Sequence, residues 1–343
     1  MKLCVFRHKK FPIVCYFSST YSLLLYLCYS SQREIENTFF VFSETFPKEI
    51  AYNFKNCCYI PKYKESIHFY VPKKWIISKI YKWFVIPKIE SQTKIFCQDH
   101  TTMLQLLIGR HPYYMVAENP VMETIMKSHY PKGRATGQTI KQHILDFINQ
   151  KFIGPLYGHS LGFNHLCRGV LFSDKGSARY FHGKDIYLLN IFSAWNQKNE
   201  NERNMILSLY GICSSDLESI SSKKIIIYTQ PFVPEMTIDD NKKYMVALIK
   251  KYPLEDIVIK VHPRDEIDYE QLFPGITVCK SRIPAQLFDL LGVHFEVAAT
   301  YNSSAVYNMS YEIRIDWYGE ELRHFGSVLY NAPIPSNANM CHL

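Results

Sequence analysis

Apolar residues occur along this chain in short runs, separated by polar segments that contain glycine, proline or serine. Runs rich in β-branched and aromatic residues are typical of strands in a parallel sheet, because both faces of such a strand are covered. On this pattern we predict strands at residues 12–17, 37–42, 94–97, 113–117, 186–192, 225–229, 256–261, 276–279 and 295–300.

Several helices are predicted between these strands, where capping residues precede an apolar pattern of helical period. They cover residues 21–29, 47–54, a segment from Thr237 or Asp239 to Lys251, and 284–291, which Gly292 closes. Residues 154–185 are rich in glycine, histidine and serine and are predicted to form loops.

Strands that alternate with helices indicate doubly wound parallel sheets. A length of 343 residues favours two domains, and the polar segment 211–224 is the best candidate linker. We therefore predict an α/β protein of the GT-B type, in which two Rossmann-like domains face a cleft. The predicted domains are 1–210 and 222–326, followed by a C-terminal tail at 327–343.

The N-terminal segment allows two interpretations. Basic residues precede the largely apolar segment 11–29, an arrangement that mimics a membrane anchor. However, a proline and several hydroxyl residues interrupt the run. We predict that the segment forms the first strand and helix of the N-terminal domain, with the anchor as the alternative.

Charge and cysteine content exclude several classes of function. The net charge of +8 is moderate and no nucleic-acid recognition motif accompanies it, so no nucleic-acid partner is predicted. The ten cysteines lack C-x-x-C spacing and are typical of reduced thiols in a cytoplasmic protein. No clustered ligands for a metal are found.

Residues 59–94 contain eight lysines and two glutamates, interleaved with tryptophan, tyrosine and phenylalanine. Two interpretations stay open here. The segment is either a solvated helix face with its core side, or a peripheral contact with an anionic membrane surface or charged glycolipid.

Two strand ends carry residues suited to binding a nucleotide phosphate. His262 follows the strand 256–261, and Pro263 prevents that strand from continuing. Asn302, Ser303 and Ser304 follow the strand 295–300 and are predicted to open a helix, whose N–H groups suit a phosphate. The carboxyl ends of strands are where open α/β sheets bind ligands.

An ordered series of motifs surrounds these residues: TQP at 229–231, IVIKVHPR at 257–264, P-x-Q-L at 284–287, LLG at 290–292 and YNSSA at 301–305. Over about residues 225–306 the chain resembles the bacterial sialyltransferases of glycosyltransferase family 52, which act on lipooligosaccharide and capsule. The other His-Pro pair, His111-Pro112, lacks this context and is interpreted as unrelated to the family motif.

The resemblance implies an inverting, metal-independent GT-B enzyme that needs no cofactor and transfers sialic acid from CMP-sialic acid to a terminal galactose. It implies that His262 is the general acid, or hydrogen-bond donor, for the departing CMP phosphate. The serines would hold that phosphate, and 284–286 would face the ribose, although Gln286 stands where the family usually has glutamate. The implied donor-binding residues are Thr229, Gln230, Pro263, Pro284, Gln286, Asn302, Ser303 and Ser304.

The attacking galactose hydroxyl also needs a general base. Related sialyltransferases carry an acidic-acidic-Gly motif after an N-terminal strand, and the corresponding segment here is Ala117-Glu118-Asn119. Glu118 is therefore one candidate. The other is Glu235, with Asp239 and Asp240 close behind, although these two aspartates are most simply the stabilising acids of a helix N-terminus.

Two alternatives to a sialyltransferase remain open. The same fold could transfer glucose from another nucleotide sugar, or the chain could be a non-catalytic nucleotide- or glycan-binding relative. Relatives form dimers, so a homodimer is an expectation carried by the resemblance alone. The expected location is the cytoplasm, at the inner face of the cytoplasmic membrane.

Overall fold

The computed structural model describes residues 9–61, 70–120, 122–129, 147–148, 150–151, 154, 156, 160–212, 214–229, 237–262, 265–307, 309–319 and 334–342. The chain divides into two compact units, Met1–Gly211 and Ile212–Leu343. Each unit is built on one parallel sheet.

The N-terminal unit contains a seven-stranded parallel sheet in the order β3-β2-β1-β4-β5-β6-β7. All residues of the first two strands are buried, as expected for strands covered on both faces. The strands are β1 (Ile13–Phe17), β2 (Thr38–Phe42), β3 (Cys57–Tyr59), β4 (Lys94–Cys97), β5 (Tyr113–Val116), β6 (Cys167–Phe172) and β7 (Asp185–Leu188).

The first helix of this unit, Thr20–Tyr29, decides between the two interpretations of the N-terminus. Its residues from Tyr21 to Cys28 are buried, and the Ser19 side chain caps its first turn by accepting from the Tyr21 N–H. The segment is therefore the first strand and helix of the domain, as predicted. No helix in the described ranges is long and apolar enough to cross a membrane.

The other helices of the N-terminal unit connect successive strands or follow the last one. They include Gln32–Glu36, Lys48–Ala51, Tyr70–Phe84, Thr102–Ile108, Met122–His129, Ile191–Gln197 and Glu200–Tyr210, with a 3-10 segment at Lys175–Tyr180.

The C-terminal unit contains a six-stranded parallel sheet in the order β10-β9-β8-β11-β12-β13. The strands are β8 (Ile225–Tyr228), β9 (Ile257–Lys260), β10 (Thr277–Cys279), β11 (Val297–Thr300), β12 (Arg314–Trp317) and β13 (Ala338–Met340). Helices lie at Ser214–Ser221, Ile238–Ile249, Tyr269–Leu272 and Gln286–Leu290, with 3-10 segments at Leu254–Asp256 and Ser304–Val306.

In each sheet the first strand of the unit lies near the centre. The second and third strands follow on one side of it and the later strands on the other, which is the Rossmann order. The prediction of an α/β protein with two Rossmann-like domains is confirmed. In the C-terminal unit the central strands pack against the amphipathic helix Ile238–Ile249, whose Met245, Leu248 and Ile249 are fully buried.

Three local predictions were wrong. The predicted loop 154–185 contains β6 and a 3-10 segment. The predicted strand 186–192 ends at Leu188, and a helix begins at Ile191. The predicted C-terminal tail contributes β13, which pairs with β12.

Most cysteines in the described ranges lie in the interior. Eight described cysteines are free thiols, and six of these are buried. Burial raises the pKa of the Cys28 thiol to about 12, so this thiol stays protonated and inert.

Candidate functional site

The candidate donor site lies at the carboxyl edge of the C-terminal sheet, where the strand order reverses. The central strand β8 pairs with β9 on one side and with β11 on the other. Thr229 follows β8, His262 lies just beyond β9, and Asn302 to Ser304 follow β11. Because neighbouring strands are about 4.8 Å apart, the ends of β9 and β11 are separated by about 10 Å.

Thr229 fixes the backbone of His262. Only 1% of Thr229 is exposed, and its Oγ1 accepts a hydrogen bond of 2.8 Å from the His262 N–H. On the far side, the carbonyl of His262 accepts from the Asp265 N–H at 2.9 Å. The half-buried imidazole therefore projects from a backbone that is held on both sides.

Thr300 plays the same part for the serine segment. It is fully buried, and its hydroxyl donates to the Tyr228 carbonyl at 3.2 Å and accepts from the Ser303 N–H at 3.1 Å. Since Tyr228 directly precedes Thr229, the end of β8 anchors both His262 and Ser303.

The predicted helix at the serine segment is wrong. Ser304–Val306 is a single 3-10 turn of three residues, capped by Ser303, whose Oγ accepts from the Ala305 N–H at 3.3 Å. No helix dipole of useful length is present there. Any phosphate would be held by hydroxyl groups and local N–H groups, with Ser304 exposed and Ser303 half-buried.

Gln286 lies behind this turn. Its side chain is buried, with 3% of the residue exposed, and its Nε2 donates to the Tyr307 carbonyl at 3.4 Å. This contact ties the helix Gln286–Leu290 to the serine turn. Pro284 is buried just before that helix.

A cavity of about 280 Å³ adjoins His262 on the β10 side. It is lined by groups of both charges, among them Asp265, Lys280 and Arg282. Tyr269 donates its hydroxyl to Asp265 at 2.8 Å, and burial raises the pKa of this phenol. No sequence pattern indicates these charged and polar residues beside the imidazole.

The N-terminal sheet carries a different constellation at its own carboxyl edge. Glu118 follows β5, and one of its carboxylate oxygens lies 3.3 Å from His100 Nε2, just beyond β4. Burial lowers the pKa of His100, but the hydrogen bond to Glu118 and the charges of Glu118 and Asp99 outweigh it, so the pKa is raised. Glu118 is a candidate from the sequence alone, whereas no sequence pattern marks its partner His100.

Serine hydroxyls hold the backbone on which Glu118 sits. Ser19 Oγ donates to the Glu118 carbonyl at 2.9 Å, and Ser22 Oγ donates to the Ala117 carbonyl at 2.6 Å. The buried Gln98 accepts from the N–H groups of Ser18 and Ser19 and from the Ser18 hydroxyl through one oxygen. The start of the first helix is thereby joined to the ends of β4 and β5.

Asp99 is a buried carboxyl group that organises the neighbouring loop. It accepts from the N–H groups of Leu161 and Gly162 at 2.6 and 2.9 Å and from the Tyr113 hydroxyl at 2.6 Å. Burial raises the pKa of Asp99, and these hydrogen bonds oppose that shift. Its position beside His100 adds to the field that favours the imidazolium.

The remaining predicted residues divide into two groups. Asp240 forms a capping box with Thr237 at the start of its helix, which confirms the structural interpretation of that acid. Glu235, Gln230 and Pro263 lie outside the described residues. Within the described ranges no cluster of three or more potential metal ligands occurs.

The His100–Glu118 pair predicts a pH-dependent contribution to stability. Because the pKa of His100 is raised on folding, the pair stabilises the fold fully below the unfolded value of about 6.5 and loses this effect as the pH rises through the folded value. We expect the difference in unfolding free energy between wild type and Glu118→Gln to shrink from pH 6 to pH 8.5 in urea titrations.

Glu123→Gln is the matched control, because Glu123 pairs with Arg179, which stays charged throughout this range. Its difference from wild type should be constant with pH. A constant difference for Glu118→Gln as well would contradict the assigned pair.

Comparison with known proteins identifies the family. The sequence model of glycosyltransferase family 52 matches residues 93–318, more than half of the chain. The matched span includes Glu118 in one unit and His262, Ser303 and Ser304 in the other. An uncharacterized protein of Haemophilus influenzae is 29% identical over 195 residues, covering 50% of this chain and 63% of that protein, so the match spans less than two thirds of the relative.

Solved structures of bacterial sialyltransferases share the fold. A Photobacterium 2,6-sialyltransferase, in a ternary complex with the donor product CMP and the acceptor substrate lactose, has a TM-score of 0.54 at 11% identity, over 90% of this chain and 71% of that chain. The GT-B domain of a Photobacterium damselae sialyltransferase has a TM-score of 0.52 at 12% identity, over 85% and 86%. Such identities establish the fold alone, and it is the predicted GT-B fold. By its family match, the chain belongs to glycosyltransferase family 52.

Proposed function

We propose that this protein is a sialyltransferase that transfers sialic acid from CMP-sialic acid to a terminal galactose of a bacterial surface glycan, lipooligosaccharide or capsule. The observation that carries the proposal is the family-52 match over 93–318, which contains the candidate acid and a candidate base. The reaction proceeds with inversion and without a metal ion or cofactor. The sialyltransferase of similar fold that holds CMP and lactose supports a nucleotide-sugar donor and a galactoside acceptor.

The C-terminal unit stabilises the leaving group. When the bond between the sialic acid anomeric carbon and the phosphate oxygen breaks, negative charge develops on CMP. His262 donates a proton or hydrogen bond to that oxygen, and the hydroxyls of Ser303 and Ser304 bind the phosphate. The backbone contacts from Thr229 and Thr300 keep these donors in place before the substrate arrives.

The remaining donor-binding residues support or surround this centre. Thr229 and Gln286 position the imidazole and the serine turn through their observed hydrogen bonds. Pro284, at the start of the neighbouring helix, faces the ribose in this proposal. Asn302 adjoins the phosphate, while Gln230 and Pro263 flank Thr229 and His262 in sequence.

The base takes the proton of the attacking galactose hydroxyl. Glu118 is one candidate, because its carboxylate side chain is 41% accessible and is oriented by His100. Glu235 is the other, since the family places an acid after the TQP turn. In either case the proton of the hydroxyl moves to a carboxylate as the new glycosidic bond forms.

The proposed location is the cytoplasm, at the inner face of the cytoplasmic membrane where glycolipid acceptors are available. A homodimer is proposed on family grounds alone. One observation favours a second function: Ala117-Glu118-Asn119 lacks the second acid and the glycine of the related motif. A non-catalytic nucleotide- or glycan-binding relative would show CMP binding without turnover.

The donor assignment is tested by CMP release from CMP-sialic acid, measured in EDTA with and without lactose. We expect lactose-dependent release from wild type. His262→Ala should lower kcat by roughly 10²- to 10⁴-fold, the usual contribution of a positioned acid. His111→Ala is the matched control, because it removes the histidine of the other His-Pro pair and should leave release unchanged.

Release that depends on EDTA-removable metal, or equal rates for wild type and His262→Ala, would contradict this mechanism. Absence of CMP binding together with binding of a uridine nucleotide would overturn the donor and favour a glucosyltransferase.

The base is identified by comparing Glu118→Gln with Glu235→Gln. The amide keeps the shape of the side chain but cannot take a proton at neutral pH, so the variant of the true base should lose roughly 10²- to 10⁴-fold in kcat while still binding CMP. The pH–rate profile of that variant should also lose its acidic limb. If both variants retain wild-type kcat, neither carboxylate is the base.

A further inference from the structure

The helix Tyr70–Phe84 has an inverted distribution of polarity. On the side that packs against the protein, Lys74 and Ser78 are 5% and 2% exposed. Lys74 Nζ pairs with a Glu44 oxygen at 3.1 Å, and Ser78 Oγ donates to the Trp75 carbonyl at 2.7 Å. Polar groups thus occupy the inward face, where apolar residues are the usual choice.

The outward face carries large apolar side chains. Ile76, Ile80, Trp83 and Phe84 are 54%, 49%, 61% and 55% exposed. Their spacing of four, seven and eight residues places them together on one side of the helix. We call these four residues the apolar stripe. They form one continuous surface, in contrast to single apolar residues scattered over a protein surface.

Positive charge borders the apolar stripe. Lys73 and Lys79 are exposed beside it, and the helix contains no acidic residue. The Lys79 ammonium lies over the Trp75 ring, 5.4 Å from its centroid. Among the described residues, no carboxylate forms an ion pair with Lys79 or Lys82.

The charge of this surface selects its occupant. In a symmetric dimer the same patch of both copies would meet. The lysines of one copy would then face the lysines of the other, and repulsion between like charges disfavours that contact. A surface of anionic lipid headgroups instead neutralises the lysines, and it accepts the isoleucines and aromatic rings at the boundary between headgroups and acyl chains. Tryptophan is well suited to that boundary, because its ring is apolar and its N–H is polar.

We propose that the helix Tyr70–Phe84 is a membrane-docking element, whose apolar stripe enters the interface of an anionic bilayer while Lys73 and Lys79 contact lipid phosphates. This contact holds the protein on the surface without spanning the bilayer. It does not depend on which nucleotide sugar the protein uses, so it can be tested separately from sialyl transfer.

The test is co-sedimentation of the full-length protein with large vesicles, made either of phosphatidylcholine alone or of an equal mixture of phosphatidylcholine and phosphatidylglycerol, whose headgroup is anionic. We expect binding to the anionic vesicles only, together with a blue shift of tryptophan fluorescence that Trp83→Ser removes. The triple variant Ile76→Ser, Ile80→Ser, Trp83→Ser should bind at least about tenfold more weakly, although its charge is unchanged.

Charge is tested with Lys73→Glu, Lys79→Glu, for which binding should fall by at least about tenfold. Its matched control is Lys242→Glu, Lys243→Glu, which makes the same change in net charge on exposed positions of another helix and should bind as wild type does. All these positions are exposed, so the folded state should persist, as checked by circular dichroism and CMP release.

The proposal is overturned if the triple serine variant binds anionic vesicles as wild type does, or if both lysine pairs have equal effects, since binding would then follow net charge alone. Absence of binding to either vesicle would also overturn it. So would a loss of self-association by the triple variant in analytical ultracentrifugation without a change in vesicle binding, because the occupant would then be a second copy. Failure of CMP release alone would affect the proposed function and not this inference.

Discussion

Two buried threonine hydroxyls hold the candidate donor site together, one just beyond the central strand β8 and one at the end of the neighbouring strand β11. Thr229 accepts from the backbone of His262, and Thr300 joins Tyr228 to Ser303. Each such hydrogen bond contributes only about 1 kcal/mol, but leaving a buried N–H unpaired costs more. The alternatives to the observed backbone are therefore penalised, and three strand ends become one rigid platform for an imidazole and two serines.

In the N-terminal sheet, side-chain hydrogen bonds also fix the backbone at the strand ends, but the group presented there is a carboxylate. There the amide oxygen of Gln98 and two serine hydroxyls join the first helix to the ends of β4 and β5. The polar groups at the start of that helix are therefore hydrogen-bonded within the protein. The same contacts place the carboxylate of Glu118 beside His100. One sheet edge thus offers hydrogen-bond donors that suit an anionic leaving group, and the other offers a carboxylate that suits a hydroxyl nucleophile.

Much of the fold could be predicted because buried parallel strands have a strong local signature. The runs at β1, β2, β8 and β9 are dominated by β-branched and aromatic residues, and all their residues are buried. β6 was missed because its sequence, CRGVLF, lies in a glycine-, histidine- and serine-rich stretch. Its Gly169 reflects tertiary packing, since a Cβ there would lie 2.8 Å from the Asp185 carbonyl on β7.

The site was only partly predictable for a related reason. His262 and the serines become candidates through their order along the chain, but the pairing of His100 with Glu118 depends on the contact between β4 and β5. The serine turn was mistaken for a helix because cap residues were present although no apolar helical pattern followed them. Capping signals fix where a helix could begin, while packing decides whether it continues.

The proposed donor site is tested most directly by a crystal structure of the protein with CMP. We expect the CMP phosphate to lie at the carboxyl ends of β9 and β11, within hydrogen-bond distance of the His262 imidazole and of a hydroxyl of Ser303 or Ser304. A phosphate bound elsewhere, with His262 and the serine turn making no contact to the nucleotide, would contradict it.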